Sequence, residues 1–155
     1  MSDKKSVPQD YANSLSYDLQ KAFWDERGKG ARFRTITVGR EYFRDRCRSR
    51  IQSADLDHIL ATITEVIKGE GIAEEAEYSA EGRLLRIRVG GCIHLPVEAK
   101  LAAHGVEPFT CVPANFIVQA IEERLDKPVE LAEVKVEDGT CSLLLVLFDK
   151  RPSLE

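Results

Sequence analysis

VELAEVKVEDGTCSLLLVLF, residues 129–148, is the stretch that decides the fold of this chain. Its two halves are rich in β-branched and aliphatic residues, and they flank Asp138-Gly139, a pair that favours the tight turn of a β-hairpin. The second half contains SLLLVL at 142–147, which is apolar on both faces of a strand. We therefore expect this strand in the middle of a sheet or in a dimer contact.

A second hairpin and several helices are predicted upstream. Residues 72–78 and 84–89 form its strands, with a turn around Gly82, and RFRTITV at 32–38 alternates like a further strand. Apolar residues at helical spacing predict helices at 11–26, 40–51, 56–67, 94–104 and 114–125. The order α-β-α-α-β-β-α-α-β-β predicts a two-layer α+β domain with a five-stranded, mainly antiparallel sheet covered by helices.

Composition and length favour one cytoplasmic domain over residues 1–155, with residues 1–9 as an N-terminal tail. The 155 residues are 43% hydrophobic and 31% charged, which is ordinary for a globular protein. No apolar run approaches the ~20 residues that span a bilayer, and the N-terminus has no secretory signal pattern. Four spaced cysteines without a CxxC pair favour a reducing compartment.

Residues 27–50 form a basic segment within an acidic chain. Nine Lys and Arg against two acids give it a balance of +7, which leaves −11 for the remaining residues. Such a segment can bind an anionic partner, or the acidic part of this chain or of a second subunit. We do not expect nucleic acid, because no recognition signature is present. The partner-binding candidates are Arg32, Arg34, Arg40, Arg44 and Arg48.

Residues 90–111, GGCIHLPVEAKLAAHGVEPFTC, carry the densest set of chemically active side chains. Zinc or an iron–sulfur cluster would use such cysteine and histidine ligands, although free cysteines are also common small core residues. His94 and His104 are predicted at opposite ends of a helix, about 15 Å apart, so they cannot share one metal ion. The ligand or metal candidates are Cys92, His94, His104, Cys111, Glu130, Glu133 and Cys141.

Nucleophilic catalysis is an alternative use of the same residues. Cys111 precedes a predicted helix, whose N-terminus favours a thiolate, and His94 or His104 could act as its base. The sequence has no GxSxG, P-loop, GxGxxG or HExxH motif. We therefore expect binding rather than catalysis, and we leave the enzyme question open.

Residues 60–148 resemble the ligand-sensing domains of the 4-vinyl-reductase type. Those domains end in an acidic residue, a cysteine, a glycine turn and a second cysteine on a hairpin, and their zinc-binding members add an earlier cysteine. Cys111, Glu130 and Cys141 match this pattern, whereas Glu133 replaces the middle cysteine. The resemblance implies a pocket between helices and sheet for a small molecule or a metal, often in a dimer.

The run VGGCIHLP at 89–96, with Gly105 and Cys111 beyond it, is similar to relatives of 2-aminothiazoline-4-carboxylate hydrolase. It is also similar to the sensor half of some iron–sulfur transcription regulators, whose DNA-binding half has no counterpart here. We expect a cytoplasmic small-molecule or metal-binding domain of sensor or accessory type, in a homodimer or a protein complex. The alternatives are a cysteine-dependent hydrolase of small heterocyclic or amide substrates, and a non-catalytic subunit that docks through its arginine-rich segment.

Overall fold

The computed structural model describes residues 7–33, 35, 37–107 and 109–149. Within these ranges the chain forms an α+β fold of five α-helices and one antiparallel sheet of four strands. Two short 3₁₀ segments, Gly28–Phe33 and Arg48–Arg50, connect helices. The helices are α1 (Gln9–Arg27), α2 (Arg40–Arg46), α3 (Leu56–Gly69), α4 (Leu95–Ala103) and α5 (Val112–Leu125). The strands are β1 (Glu75–Glu81), β2 (Leu84–Gly90), β3 (Val129–Glu137) and β4 (Thr140–Leu147).

The sheet has the strand order β1-β2-β4-β3, so the two hairpins meet along β2 and β4. The apolar strand β4 is internal, which confirms the central position expected from its sequence. In the β2–β4 register, Ile87 is paired with Leu143 and Leu85 with Leu145, and all four side chains are buried. They form the inner face of the sheet.

Helices α3 and α5 cover that inner face. Asp55 caps α3 by accepting a hydrogen bond from the His58 backbone N–H at 3.1 Å, which satisfies one of the free donors of the first turn. Helix α5 also contacts α2 and β3, and all of its residues from Pro113 to Ile121 are buried. Burial of each large apolar side chain contributes about 1.5 to 3 kcal/mol, so this layer is the main source of stability.

The strand predicted at residues 32–38 is wrong. Gly28–Phe33 is a 3₁₀ segment, residues 37–39 form a turn, and Arg34 and Ile36 lie outside the described residues. The Asn115 side chain of α5 donates hydrogen bonds to the carbonyls of Thr35 (2.9 Å) and Val38 (3.0 Å). Two carbonyls that a neighbouring strand would otherwise bind are therefore paired with a helix side chain, and the alternating pattern does not lead to a strand.

Helix α1 begins at the last residue of the N-terminal tail predicted at residues 1–9. Residues 1–6 lie outside the described part of the chain, and Gln9 already begins α1. Helix α1 contacts α4 and has no buried residue of its own. A small second hydrophobic cluster joins the two helices, with Tyr17, Phe23 and Trp24 packed against its core of Ala31, Val97, Leu101, Val106 and Phe109.

Candidate functional site

A cavity of about 660 Å³ lies between the main core and the small α1–α4 cluster. One end of the inner sheet face contributes Val89 and Cys141, and the start of α5 contributes Val112 and Pro113. Helix α4 contributes Glu98, and His94 immediately precedes that helix. Most of the remaining wall is apolar, and it comes from α1.

Helix α1 presents a stripe of large apolar residues to this cavity. Val7 precedes the helix, and Tyr11, Leu15 and Leu19 follow it at intervals of four, close to the helical repeat. Leu15 is 48% exposed and Leu19 is 64% exposed. The stripe therefore forms a wall of the cavity that solvent or a ligand can reach.

The fold brings three of the candidate cysteines to the cavity. Cys92 follows β2, Cys141 lies near the start of β4 opposite Val89, and Cys111 is the residue before α5. All three are buried and free, and the thiols of Cys111 and Cys141 are hydrogen bonded to each other. The fourth cysteine, Cys47, is fully buried in the main core.

Two of the cavity cysteines, Cys92 and Cys111, have raised pKa values. The hydrogen bond with Cys141, followed by burial, raises the pKa of Cys111 well above its ordinary value. Burial raises the pKa of Cys92 to about 11. The N-terminus of α5 favours a thiolate at Cys111 but does not offset these effects. These shifts disfavour the thiolate form of Cys92 and Cys111, which is the form that a cysteine nucleophile uses.

The proposed glutamate ligands are not brought to the cysteines. Glu130 is paired with Val146 and Glu133 with Leu144, so both glutamates lie on the open face of the sheet, whereas Cys141 is on the inner face. Both are exposed. Among the described residues, no three His, Cys, Asp or Glu side chains are placed to hold a metal ion. A zinc or iron–sulfur site consequently has no support from this geometry.

The two histidines lie at opposite ends of α4, as the helix prediction required. His94 lines the cavity, and burial lowers its pKa, which favours the neutral ring. His104 is exposed beyond the helix, where its Nδ1 is 2.8 Å from the Lys100 carbonyl oxygen and its ring is 5.7 Å from that of Tyr17. Of the two, only His94 is placed to contact a bound molecule.

Glu98 is the functional candidate that the sequence interpretation missed. It lies in the first turn of α4, one helical turn after His94, and lines the cavity. Its Oε2 is buried without a hydrogen-bond partner in the described part of the chain. The hydroxyl oxygen of Thr110, on the same cavity wall, is also buried and has no hydrogen-bond partner there. Burial raises the pKa of Glu98 to about 7. An acidic residue at the i+4 position from His94 was the available sequence signal.

Some arginines of the basic segment form ion pairs within the chain, whereas others are exposed to solvent. Arg48 forms a bidentate ion pair with Glu123 of α5. Nη1 of Arg46 lies 3.6 Å from Oε1 of Glu70. Arg40 and Arg44 are exposed on α2. The side chain of Arg32 and the whole of Arg34 lie outside the described part. Part of the positive charge of this segment is therefore paired with acidic residues of the same chain. The sequence had left this open as an alternative to binding an anionic partner.

No family model matches this chain, and no curated protein matches it. The resemblances to 4-vinyl-reductase-type domains and to 2-aminothiazoline-4-carboxylate hydrolase relatives stay predictions, as does the homodimer. In the described part of the chain, no helix has the length and apolar character needed to cross a membrane.

Proposed function

We propose that this protein is a small-molecule-binding domain of sensor or accessory type, which takes a mainly apolar ligand into the cavity beside α1. The observation that carries the proposal is the 660 Å³ cavity, walled by the apolar stripe of α1 and by the end of the sheet. Small-molecule sites typically occupy about 300 to 1,000 Å³ and are mostly apolar with a few polar groups. This cavity has that size and that composition.

The energetics favour an occupied cavity. Tyr11, Leu15 and Leu19 keep about half or more of their surface exposed while they line it. Burial of apolar surface is favourable by about 25 cal/mol per Å². A ligand that covers this stripe buries its own apolar surface and that of the helix, and both contribute to the binding free energy. The protein also gains, since α1 has no buried residue of its own and packs on the small second cluster.

Two alternatives have less support. The raised pKa values of Cys92 and Cys111 argue against a cysteine-dependent hydrolase. The ion pair of Arg48 with Glu123 removes one of the arginines that an adaptor would use for docking. We place the domain in the cytoplasm because its four cysteines are free, as is usual in a reducing compartment.

The test is binding of Nile red, an uncharged apolar dye whose emission shifts to the blue in an apolar site. Leu15→Arg places a charge on the cavity wall at an already exposed position, and it should weaken binding about tenfold or more. Leu84→Arg is the matched control, because Leu84 is 36% exposed and lies on the open face of the sheet. It should change the affinity by less than about twofold. No saturable binding to the wild type, or equal weakening by both variants, would contradict the proposed function.

A further inference from the structure

We infer that the ligand of this cavity is an organic ammonium ion: an apolar body that carries one protonated amine, which pairs with the carboxylate of Glu98. This inference rests on the proposed binding function and specifies the ligand class. It is derived from the charge of the cavity wall, from the unpartnered oxygen of Glu98, and from the apolar stripe on α1.

The cavity wall has one acidic side chain and no basic one to balance it. Among the described residues that line the cavity, Glu98 is the only Asp or Glu and none is Lys or Arg. The other titratable groups along the wall are Tyr11, His94, Cys92, Cys111 and Cys141. Burial favours the neutral ring of His94, and the raised pKa values of Cys92 and Cys111 keep those thiols neutral. A positive charge for Glu98 must therefore come from the ligand.

The Oε2 atom of Glu98 is ready to accept a hydrogen bond. It is buried and has no partner within the described residues, and a buried polar atom without a partner is unfavourable. An ammonium group supplies three N–H donors and the opposite charge, so it removes this cost and forms a charge-assisted hydrogen bond. The unpartnered hydroxyl oxygen of Thr110 is a second acceptor on the same wall.

Other head groups fit the wall less well. A carboxylate or phosphate would bring a second negative charge beside Glu98 in a poorly solvated cavity, and like charges there disfavour each other's ionised form. A neutral head group can hydrogen bond to Glu98 but gains no ion pairing. Burial raises the pKa of Glu98 to about 7, so part of the population is ionised near neutral pH, and an ammonium group favours that ionised form.

The experiment compares three ligands with the same ten-carbon chain, decylamine, 1-decanol and decanoate, by isothermal titration below their micelle concentrations near neutral pH. Wild-type protein should bind decylamine about tenfold more tightly than 1-decanol, and decanoate most weakly. Glu98→Gln should remove the advantage of the amine, so that decylamine and 1-decanol bind to this variant within about twofold of each other. Glu65→Gln, at an exposed glutamate on α3, is the matched control and should leave the order unchanged.

The outcomes separate this inference from the proposed function. If 1-decanol binds and decylamine binds no more tightly to the wild type, the ligand class is wrong and the binding function stands. The same holds if Glu98→Gln keeps the advantage of the amine. If decanoate binds as tightly as decylamine, the inference is overturned as well. If no chain binds and Nile red does not bind, both proposals fall. If Glu98→Gln does not fold, the order of the affinities of the three ligands for the wild type still tests the ligand class.

Discussion

At the scale of single residues, Glu98 best illustrates how burial changes chemistry. On an isolated helix it would be a solvated acid, but in this fold it lines an apolar cavity, and burial raises its pKa from an ordinary 4.5 to about 7. Burial disfavours the charged form because the cavity cannot solvate it as water does. Burial also raises the pKa of Cys92, and the hydrogen bond with Cys141, followed by burial, raises the pKa of Cys111.

The raised pKa of Glu98 predicts a pH dependence of stability. Between pH 4.5 and about 7 the folded state keeps a proton that the unfolded state releases. The stability from this group is therefore complete below its unfolded pKa and is lost as the pH rises through about 7. The free energy of unfolding of Glu98→Gln, relative to wild type, should increase by about 1 to 3 kcal/mol between about pH 5 and about pH 8.

Urea unfolding at each pH measures this difference. Burial also lowers the pKa of His94, but His94 is present in both proteins, so its contribution cancels in the comparison. A constant difference between the two proteins across the range would show that Glu98 is solvated and that its pKa is not raised.

At the scale of elements, the start of α2 depends on Gly39. This residue has a φ of +92°, and a Cβ built on it would lie 2.9 Å from Cγ1 of Val112 and 3.1 Å from Cε1 of Phe116, both on α5. A glycine here lets the backbone that leads from Thr35 into α2 approach α5 closely. Val38 and Val112, which line the cavity, are held in place by this contact.

We predict that Gly39→Ala lowers the free energy of unfolding by about 2 to 4 kcal/mol, because it combines backbone strain with overpacking against α5. Gly105→Ala is the matched control. Gly105 also has a positive φ, of +77°, but a Cβ there would meet nothing within 4 Å, so only the strain of about 1 kcal/mol should appear. Chemical denaturation of both variants checks the difference, and equal losses would show that the close approach to α5 is unimportant.

At the scale of the whole molecule, the chain has two hydrophobic clusters of very different size. The main one joins the sheet with α2, α3 and α5, whereas the second holds α1 and α4 through a few residues around Phe109. The cavity lies where the two meet. Because local stability follows the amount of buried apolar contact, α1 and the second cluster should open before the sheet does.

The single tryptophan makes this difference measurable. Trp24 lies in the second cluster, with its ring 5.7 Å from that of Phe109. In the absence of ligand, the fluorescence transition of Trp24 in urea should precede the far-ultraviolet circular dichroism transition, which reports the whole fold. Coincident transitions would show that the two clusters unfold as one unit.

The structural features that could be predicted from the sequence are those that neighbouring residues determine. The hairpin at Asp138-Gly139 and the central position of β4 follow from turn chemistry and apolar pattern, and each was predicted from neighbouring residues. The division of His94 and His104 between the two ends of α4 also follows from helix geometry alone.

The tertiary structure decided what depends on distant contacts. Whether residues 32–38 pair as a strand was settled by Asn115, which is 80 residues away from Thr35 and takes the carbonyl that a strand partner would have used. The hydrogen bond between Cys111 and Cys141, and the burial of Glu98 in an apolar cavity, likewise arise from segments that meet only in the fold. Local patterns specify the elements because their energies come from neighbouring residues, whereas a site is specified by which elements pack together.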